Sequence, residues 1–177
     1  MNSTLATWNA AGEAAALEAM LACCGARRWA TEMVAQRPIG SVEALSATAD
    51  RVWSTMKEAD WLEAFACHPR IGGGTGDRKP AAVGAHAGGK SAAWSTQEQS
   101  RTSVAGERVM DELAEGNALY EERFGFTYIV CATGKSAEEM LAILKRRLAG
   151  DRASELQEAA EQQRQIMQIR LGKWLIE

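Results

Sequence analysis

Apolar residues recur at three- and four-residue steps along most of the chain, with polar and charged residues between them. This spacing places apolar side chains on one face of an α-helix. Several of the segments begin at a serine that can cap a helix, or end near glycine or proline. The predicted helices span residues 9–24, 28–36, 42–56, 60–67, 95–123, 136–148 and 153–171.

Two segments depart from the helical pattern. Residues 124–132 are the only strand-like run, and because a solitary strand makes no sheet, we predict a buried extended segment or an irregular helix start there. Seven of the 16 glycines fall between residues 71 and 90, which is typical of a surface loop, here at about 71–92. Glycines 106 and 116 are expected to loosen the helix at 95–123. The pattern predicts an all-α, single-domain helical bundle over residues 1–177.

Composition excludes several classes of function. The 177 residues carry a net charge of −3, with 24% charged and 46% hydrophobic residues. No extended basic cluster is present, so a nucleic-acid partner is not expected. The apolar runs are shorter than the ~18–20 residues of a membrane helix, and the first residues do not resemble a signal peptide. We therefore predict a cytoplasmic protein with no membrane partner.

The four cysteines predict neither a metal site nor a disulfide framework. Cys23, Cys24, Cys67 and Cys131 match no zinc-binding spacing, and an adjacent pair cannot easily supply two ligands to one ion. Reduced, mostly buried thiols that act as small apolar side chains are the expectation.

Histidine is the side chain whose ordinary pKa best suits proton transfer near neutral pH, and the chain has two. His86 lies in the glycine-rich loop, where a solvated side chain is the simpler interpretation. His68 follows an apolar helix and precedes Pro69, whose ring forces the chain to turn. The residues alone allow either a catalytic His68 or a helix-terminal histidine that interacts favourably with the helix dipole.

Glu98 and Arg170 can each be interpreted as structural or as functional residues. Glu98 stands three residues after Ser95, the spacing of a capping box, in which the carboxylate bonds to the backbone. Arg170 lies on the last predicted helix, where most arginines are solvated. Local sequence alone does not make either residue catalytic.

Five short motifs, taken together, favour a functional interpretation of these residues. In chain order they are His68-Pro69-Arg70-Ile71-Gly72, Ser95-x-x-Glu98-Gln99, Asn117-x-x-Tyr120-x-x-Arg123-Phe124-Gly125-Phe126, Ile129-x-Cys131-Ala132-x-Gly134 and Ile169-Arg170-Leu171. Together they resemble the family of 2-oxo-4-hydroxy-4-carboxy-5-ureidoimidazoline (OHCU) decarboxylases, which complete the conversion of urate to (S)-allantoin. Trp29 and the pair Arg37-Pro38 also fit, so the resemblance covers nearly the whole chain.

The resemblance implies an all-α enzyme that needs no cofactor and no metal, acts on a small-molecule substrate and forms a homodimer. It assigns catalytic roles to His68 and Glu98. Arg170 is the implied substrate-binding arginine near the C-terminus, and Arg147 is the alternative. The glycine-rich stretch is longer than is usual for the family. The remaining implied substrate-binding residues are Pro69, Ser95, Gln99, Thr127, Tyr128 and Ile129.

The substrate class suggests a mechanism without a cofactor, because the ring C=N beside the carboxylated carbon accepts the electrons that CO₂ leaves behind. His68 would take the hydroxyl proton or protonate the ring nitrogen. Glu98 would bind ureido or ring N–H groups and hold the tautomer of His68. Arg170 would bind a carboxylate or ring carbonyl through its planar fork, while Ser95 and Gln99 add orienting hydrogen bonds. Proton delivery from one side would give (S)-allantoin.

Two other functions stay open at this point. A metal-independent hydrolase of a related cyclic ureide would use the same kind of substrate. A catalytically silent helical binding module would keep the fold without the reaction. The sequence also leaves open how His68 and Glu98 divide the proton transfers and what the glycine-rich loop does.

Overall fold

The periodic segments fold as helices in the computed structural model, which describes residues 2–71, 90, 93, 94, 97 and 106–177. Their apolar faces meet in one hydrophobic cluster. Within these ranges every regular element is a helix and no strand occurs, which confirms the all-α prediction. The helices are α1 (Ser3–Ala10), α2 (Glu13–Cys23), α3 (Arg27–Ala35), α4 (Val42–Trp53), α5 (Glu58–Ala66), α6 (Glu107–Phe124), α7 (Ala137–Arg147) and α8 (Arg152–Trp174).

Side-chain caps fix two of the predicted helix starts. The Ser41 hydroxyl accepts a hydrogen bond from the Ala44 amide at 3.1 Å and begins α4. At α7 the Ser136 hydroxyl accepts from the Glu139 amide at 3.2 Å, and the Glu139 carboxylate accepts from the Ser136 amide at 2.7 Å. This reciprocal pair is the predicted capping box, and a cap of this type typically contributes ~1 kcal/mol.

The alanine-rich start of the chain forms two helices, so the single helix predicted over 9–24 is wrong. The Arg37 guanidinium donates to the carbonyl oxygens of Trp8 and Ala11 at 2.8 and 2.7 Å. These bonds satisfy the carbonyl groups at the end of α1, and the chain turns there before α2 begins. A contact 26–29 residues away along the chain therefore ends a segment whose local sequence favours continued helix.

Two glycines mark the ends of α6, and a third lies inside a helix. Gly106 has extended backbone at the N-cap of α6, so α6 begins at Glu107; residues 98–105 of the predicted helix lie outside the described chain. Gly125 ends α6 with a φ of 80°, a left-handed conformation that glycine adopts most readily. Gly172, beside the predicted end of the last helix, instead lies inside α8.

The strand-like run is a buried irregular segment, as predicted, although its first residue, Phe124, still belongs to α6. Residues 126–132 have no helical conformation, and all except Thr127 are buried. The segment connects α6 to α7 through the protein interior. The predicted glycine-rich loop, residues 71–92, lies outside the described chain apart from Ile71 and Lys90.

Helix α8 packs against α2, α4, α5 and α6. It also carries polar groups into the core. Five polar or charged residues are buried within the described part of the chain, and Glu155, Gln163 and Arg170 of α8 are three of them. Buried polar groups need hydrogen-bond partners, so α8 makes polar contacts with the elements packed against it.

Gly25 follows the end of α2 and allows a close backbone approach there. A Cβ atom at Gly25 would lie 2.3 Å from the Cys67 sulfur, which is far inside van der Waals contact. The turn between α2 and α3 therefore rests directly on the end of α5, where His68 follows.

None of the four cysteines is in a disulfide. Cys23, Cys24 and Cys131 are buried, as predicted. Among the described residues, no helix combines the length and apolar character needed to cross a membrane.

Candidate active site

The described structure includes six of the nine predicted site residues. They are His68, Pro69, Thr127, Tyr128, Ile129 and Arg170. The other three, Ser95, Glu98 and Gln99, lie outside the described residues, as does His86.

His68 stands immediately beyond α5 and is held from both backbone and side chain. Its amide donates to the Phe65 carbonyl oxygen at 3.1 Å. Its Nε2 atom lies 2.7 Å from Oε1 of Gln163 on α8. His68 is partly exposed, whereas Gln163 is fully buried. The contact that holds the imidazole therefore lies on its buried side.

The environment of His68 favours the neutral imidazole. Arg170 lies two turns beyond Gln163 on the same face of α8 and is only 2% exposed. Burial, and after it the positive charge of Arg170, lower the pKa of His68 from the ordinary value of 6.5 to about 3. The hydrogen bond with Gln163 acts in the opposite direction but is outweighed. At neutral pH His68 is therefore available as a base.

This low pKa predicts an acid-sensitive fold. Below pH 6.5 the unfolded chain takes up a proton at His68 that the folded chain does not bind, until the pH approaches about 3. The contribution to the free energy of unfolding therefore falls by about 1.4 kcal/mol per pH unit in that window. Urea unfolding of the wild type and His68→Asn at pH 7 and pH 5 should show the wild type losing about 2 kcal/mol more than the variant.

The control for this comparison is His86→Asn, which removes the other histidine. It should follow the wild type at both pH values. A stability difference between wild type and His68→Asn that is the same at pH 7 and pH 5 would contradict the prediction.

The chain after His68 is tied to α6. The Asn117 side-chain amide donates to the Ile71 carbonyl oxygen at 2.8 Å. Arg70 donates through Nε to the Glu121 carboxylate, also at 2.8 Å. These bonds give Asn117 of the third motif a structural role, because they fix the turn that follows His68-Pro69. Pro69 itself is exposed.

The buried segment 126–132 is attached to the helices around His68. The Phe126 ring packs on Phe65 of α5, with 5.6 Å between centroids. The Cys131 amide donates to Gln162 of α8 at 2.8 Å, and the Tyr128 hydroxyl donates to the Met140 carbonyl oxygen at 3.1 Å. The same two helices, α5 and α8, therefore hold both His68 and the segment that contains Thr127, Tyr128 and Ile129.

Arg147 belongs to a buried ion-pair network. Its Nε atom lies 2.7 Å from the Glu155 carboxylate, and both side chains are less than 10% exposed. It also donates to the Ile129 carbonyl oxygen at 2.7 Å and to the Tyr120 hydroxyl at 3.1 Å, and that hydroxyl donates to Glu155 at 2.8 Å. All three guanidinium nitrogens of Arg147 thus bind protein groups, which gives Arg147 a structural role.

Gln163 is the residue that sequence analysis missed. A glutamine on a helix is usually solvated, and nothing in the sequence near Gln163 indicates chemistry. The available signal was its position: it falls on a mostly apolar stripe of α8 that also contains Glu155 and Arg170. A polar residue on such a stripe must find a buried partner.

The thiols near the site do not provide a reactive nucleophile. Burial raises the pKa of Cys24 to about 12 and also raises the pKa values of Cys23 and Cys67. These groups stay protonated at neutral pH, and a protonated thiol is a poor nucleophile and metal ligand. Within the described ranges, no group of three histidine, cysteine or carboxylate residues is arranged to hold a metal ion.

Comparison with known proteins gives consistent matches. A family model described as OHCU decarboxylase matches residues 9–172. The chain is 34% identical over 151 residues to the uric acid degradation bifunctional protein TTL of Arabidopsis thaliana, an alignment that covers 85% of this chain and 44% of that protein. It is 33% identical over 136 residues to the 2-oxo-4-hydroxy-4-carboxy-5-ureidoimidazoline decarboxylase of Amia calva, covering 76% and 73% of the two chains. This chain thus spans less than half the length of its plant relative.

The fold is also similar to a solved structure. The crystal structure of an OHCU decarboxylase in the presence of (S)-allantoin superposes with a TM-score of 0.74 at 33% sequence identity. The match covers 90% of this chain and 99% of the other.

Proposed function

Because the chain belongs to the OHCU decarboxylase family, we propose that it converts 2-oxo-4-hydroxy-4-carboxy-5-ureidoimidazoline to (S)-allantoin and CO₂. The observation that supports the proposal is that Gln163, which bonds the His68 ring, and the buried Arg170 share one face of α8. A neutral base beside a fixed cation suits a substrate that has both a proton to lose and a carboxylate to bind.

The proposed reaction balances without an external electron acceptor. The bond from ring C4 to the carboxylate breaks and releases CO₂. Its electron pair forms a C4=C5 bond, while the former C=N bond takes a proton at the ring nitrogen. The hydroxyl proton on C4 is then lost and C5 gains a proton, so the overall change is the loss of CO₂ and the uptake of one proton.

His68 would move the protons in this scheme. As a neutral imidazole it can accept the hydroxyl proton, and the burial that lowers its pKa makes the imidazolium, once formed, a strong acid. That acid can return a proton to C5. A substrate carboxylate bound at Arg170 would offset part of the positive charge that acts on His68.

The other implied residues would bind and orient the ring. We propose that Arg170 binds a carboxylate or carbonyl oxygen and that Glu98 binds ureido or ring N–H groups. Ser95, Gln99 and Pro69 would complete the wall of the site, together with backbone groups of Thr127, Tyr128 and Ile129. Delivery of the last proton to one face of the ring gives a single enantiomer.

A coupled assay tests the proposal. Urate oxidase and the hydrolase that follows it generate the unstable substrate from urate, and circular dichroism records the formation of optically active allantoin. We expect the (S)-allantoin signal to appear much faster with this protein than in the reaction without it. A rate equal to the background, from folded protein, would exclude this activity and leave the binding module or the hydrolase.

The hydrolase alternative predicts a different product. It would open a cyclic ureide without releasing CO₂, so measuring CO₂ in the same assay distinguishes the two reactions. We expect one CO₂ for each allantoin formed. Activity that persists after treatment with a chelator would further support a reaction without a metal ion.

Arg170→Lys should raise KM more than it lowers kcat. Lysine keeps the charge but loses the planar pair of donors that matches a carboxylate. We expect KM to rise about 10- to 100-fold, the factor that corresponds to a charge-assisted hydrogen bond of about 1.5–3 kcal/mol. Steady-state kinetics in the coupled assay measures the change.

The matched control is Arg164→Lys on the same helix, where the arginine pairs with Asp50 at 3.0 Å on the protein surface. Its KM should stay within about twofold of the wild type, since surface ion pairs contribute little. An unchanged KM in Arg170→Lys would remove Arg170 from substrate binding.

We further propose that the protein is a cytoplasmic homodimer, on the strength of its family. Light scattering coupled to size-exclusion chromatography would give twice the chain mass of 19.1 kDa. A monomeric mass at micromolar concentration would contradict the dimer, and cell fractionation tests the location.

A further inference from the structure

The buried amide of Gln163 is the nearest described partner of the His68 ring. We propose that Gln163 is a positioning residue that holds His68 as the Nε2–H tautomer, so that Nδ1 is the nitrogen that exchanges protons with the substrate. The proton exchange with substrate rests on the proposed function. The tautomer itself is a property of the folded protein.

The orientation of the Gln163 amide determines the tautomer. Its Oε1 atom lies 2.7 Å from His68 Nε2, while its Nε2 atom faces the Cys24 sulfur at 4.0 Å. A carboxamide oxygen only accepts hydrogen bonds. A bond at this distance therefore requires the proton to sit on His68 Nε2, and the neutral ring then keeps its lone pair on Nδ1.

The charged and titratable groups around His68 and Gln163 support this tautomer. Arg170 of α8 is the charged group that acts on His68 among the described residues. The thiols of Cys24 on α2 and Cys67 beside His68 stay protonated, because burial raises their pKa values. The amide nitrogen of Gln163 therefore faces an uncharged sulfur, and the amide oxygen accepts from the imidazole N–H. Both ends of the Gln163 side chain thus have a partner.

The choice of an amide over a carboxylate has a chemical consequence. A carboxylate at this position would stabilise the imidazolium and raise the pKa of His68. A neutral amide orients the ring without that stabilisation. His68 therefore stays a neutral base in the resting enzyme and becomes a strong acid after it is protonated, which suits a residue that must return its proton to carbon.

Nitrogen NMR of the histidine rings tests the tautomer without any turnover. The chain has two histidines, so ¹⁵N-histidine labelling gives two sets of ring signals, and His68→Asn identifies those of His68. We expect a pyrrole-type Nε2 and a pyridine-type Nδ1 for His68 at neutral pH. The reverse pattern, or a ring that averages between tautomers, would overturn the proposal even if the enzyme is active.

Gln163→Glu tests the charge argument. We expect the midpoint of His68 protonation, followed by the same signals, to move upward by at least about one pH unit. The acid limb of the kcat profile should move with it, because a charged His68 cannot act as the base. A protonation midpoint equal to that of the wild type would contradict the proposal.

Gln163→Met removes the hydrogen bond at nearly constant volume. We expect kcat to fall about tenfold, the factor that one hydrogen bond of typical net strength represents, with a smaller change in KM. In the His68→Asn background the same substitution should have no further effect on kcat. Gln165→Met on the same helix is the matched control and should keep wild-type kinetics.

Additive losses in the double variant would show that Gln163 acts through general stability rather than through His68, and would overturn the proposal. If the wild type has no decarboxylase activity while the NMR pattern is as expected, the proposed function fails and the tautomer assignment stands. The two failures are therefore distinguishable.

Discussion

His68→Asn should lower kcat for the proposed decarboxylation at least ~100-fold while the helical fold is retained, since positioned proton transfer contributes typically ~10²–10⁴ in rate. The reaction needs a group that accepts a proton from oxygen and returns one to carbon. Asparagine can do neither at neutral pH. The measurement is the coupled assay, with far-ultraviolet circular dichroism to verify the fold.

A second variant separates lost chemistry from lost packing. Asparagine is too short to reach Gln163 as Nε2 does, so the buried amide oxygen loses its donor, at a cost of about 1–3 kcal/mol. His68→Gln can place a donor near the former Nε2 position and should recover part of that stability. We expect it to be as inactive as His68→Asn. Near-normal turnover in either variant would remove His68 from the mechanism.

Arg147→Met should lower the free energy of unfolding by about 3–5 kcal/mol. The substitution leaves the Glu155 carboxylate, whose side chain is 7% exposed, without its counter-charge. It also removes the donor to the Ile129 carbonyl oxygen, so the segment 126–132 loses an anchor. Because small domains have total stabilities of about 5–15 kcal/mol, this is a large fraction. Urea unfolding measures it.

Two further variants test whether the loss of stability in Arg147→Met comes from the buried ion pair. Arg147→Met combined with Glu155→Leu removes both charges and should regain much of the lost stability, since apolar replacements of buried ion pairs are often neutral or stabilising. Arg108→Met breaks an exposed ion pair with Glu112 and should cost less than about 1 kcal/mol. If Arg147→Met instead left stability unchanged and raised KM as strongly as Arg170→Lys, Arg147 would be the substrate ligand.

The sequence predicted the parts of the fold that depend on local physics. Periodicity and caps located α3, α4 and α7, because a serine cap and an apolar stripe are features of neighbouring residues. The break between α1 and α2 was missed, since it depends on the Arg37 guanidinium, which is distant in sequence. Gly172 lies inside α8 although glycine locally favours a helix end, because the packing of α8 outweighs that tendency.

The residues of the candidate site likewise divide into those that the sequence indicated and one that depends on contacts between distant segments. The motifs indicated His68 and Arg170, and the structure buries Arg170 where its charge acts on His68. Their catalytic and binding roles remain predictions, as do those of Ser95, Glu98 and Gln99. The position of Gln163 on a mostly apolar stripe indicates burial, but only the docking of α8 on α5 makes the His68 imidazole its partner, so its role could not be predicted from the sequence.

The bond between His68 and Gln163 joins residues that are 95 positions apart. A ribosome adding about 5–20 residues per second needs roughly 5–20 s to pass from one to the other. During that interval the nascent chain contains the histidine but lacks both the amide that orients it and the arginine charge that acts on it. The arrangement of His68, Gln163 and Arg170 therefore forms only once α8 has been synthesised and has docked, so the proposed activity would appear only after this late step of folding.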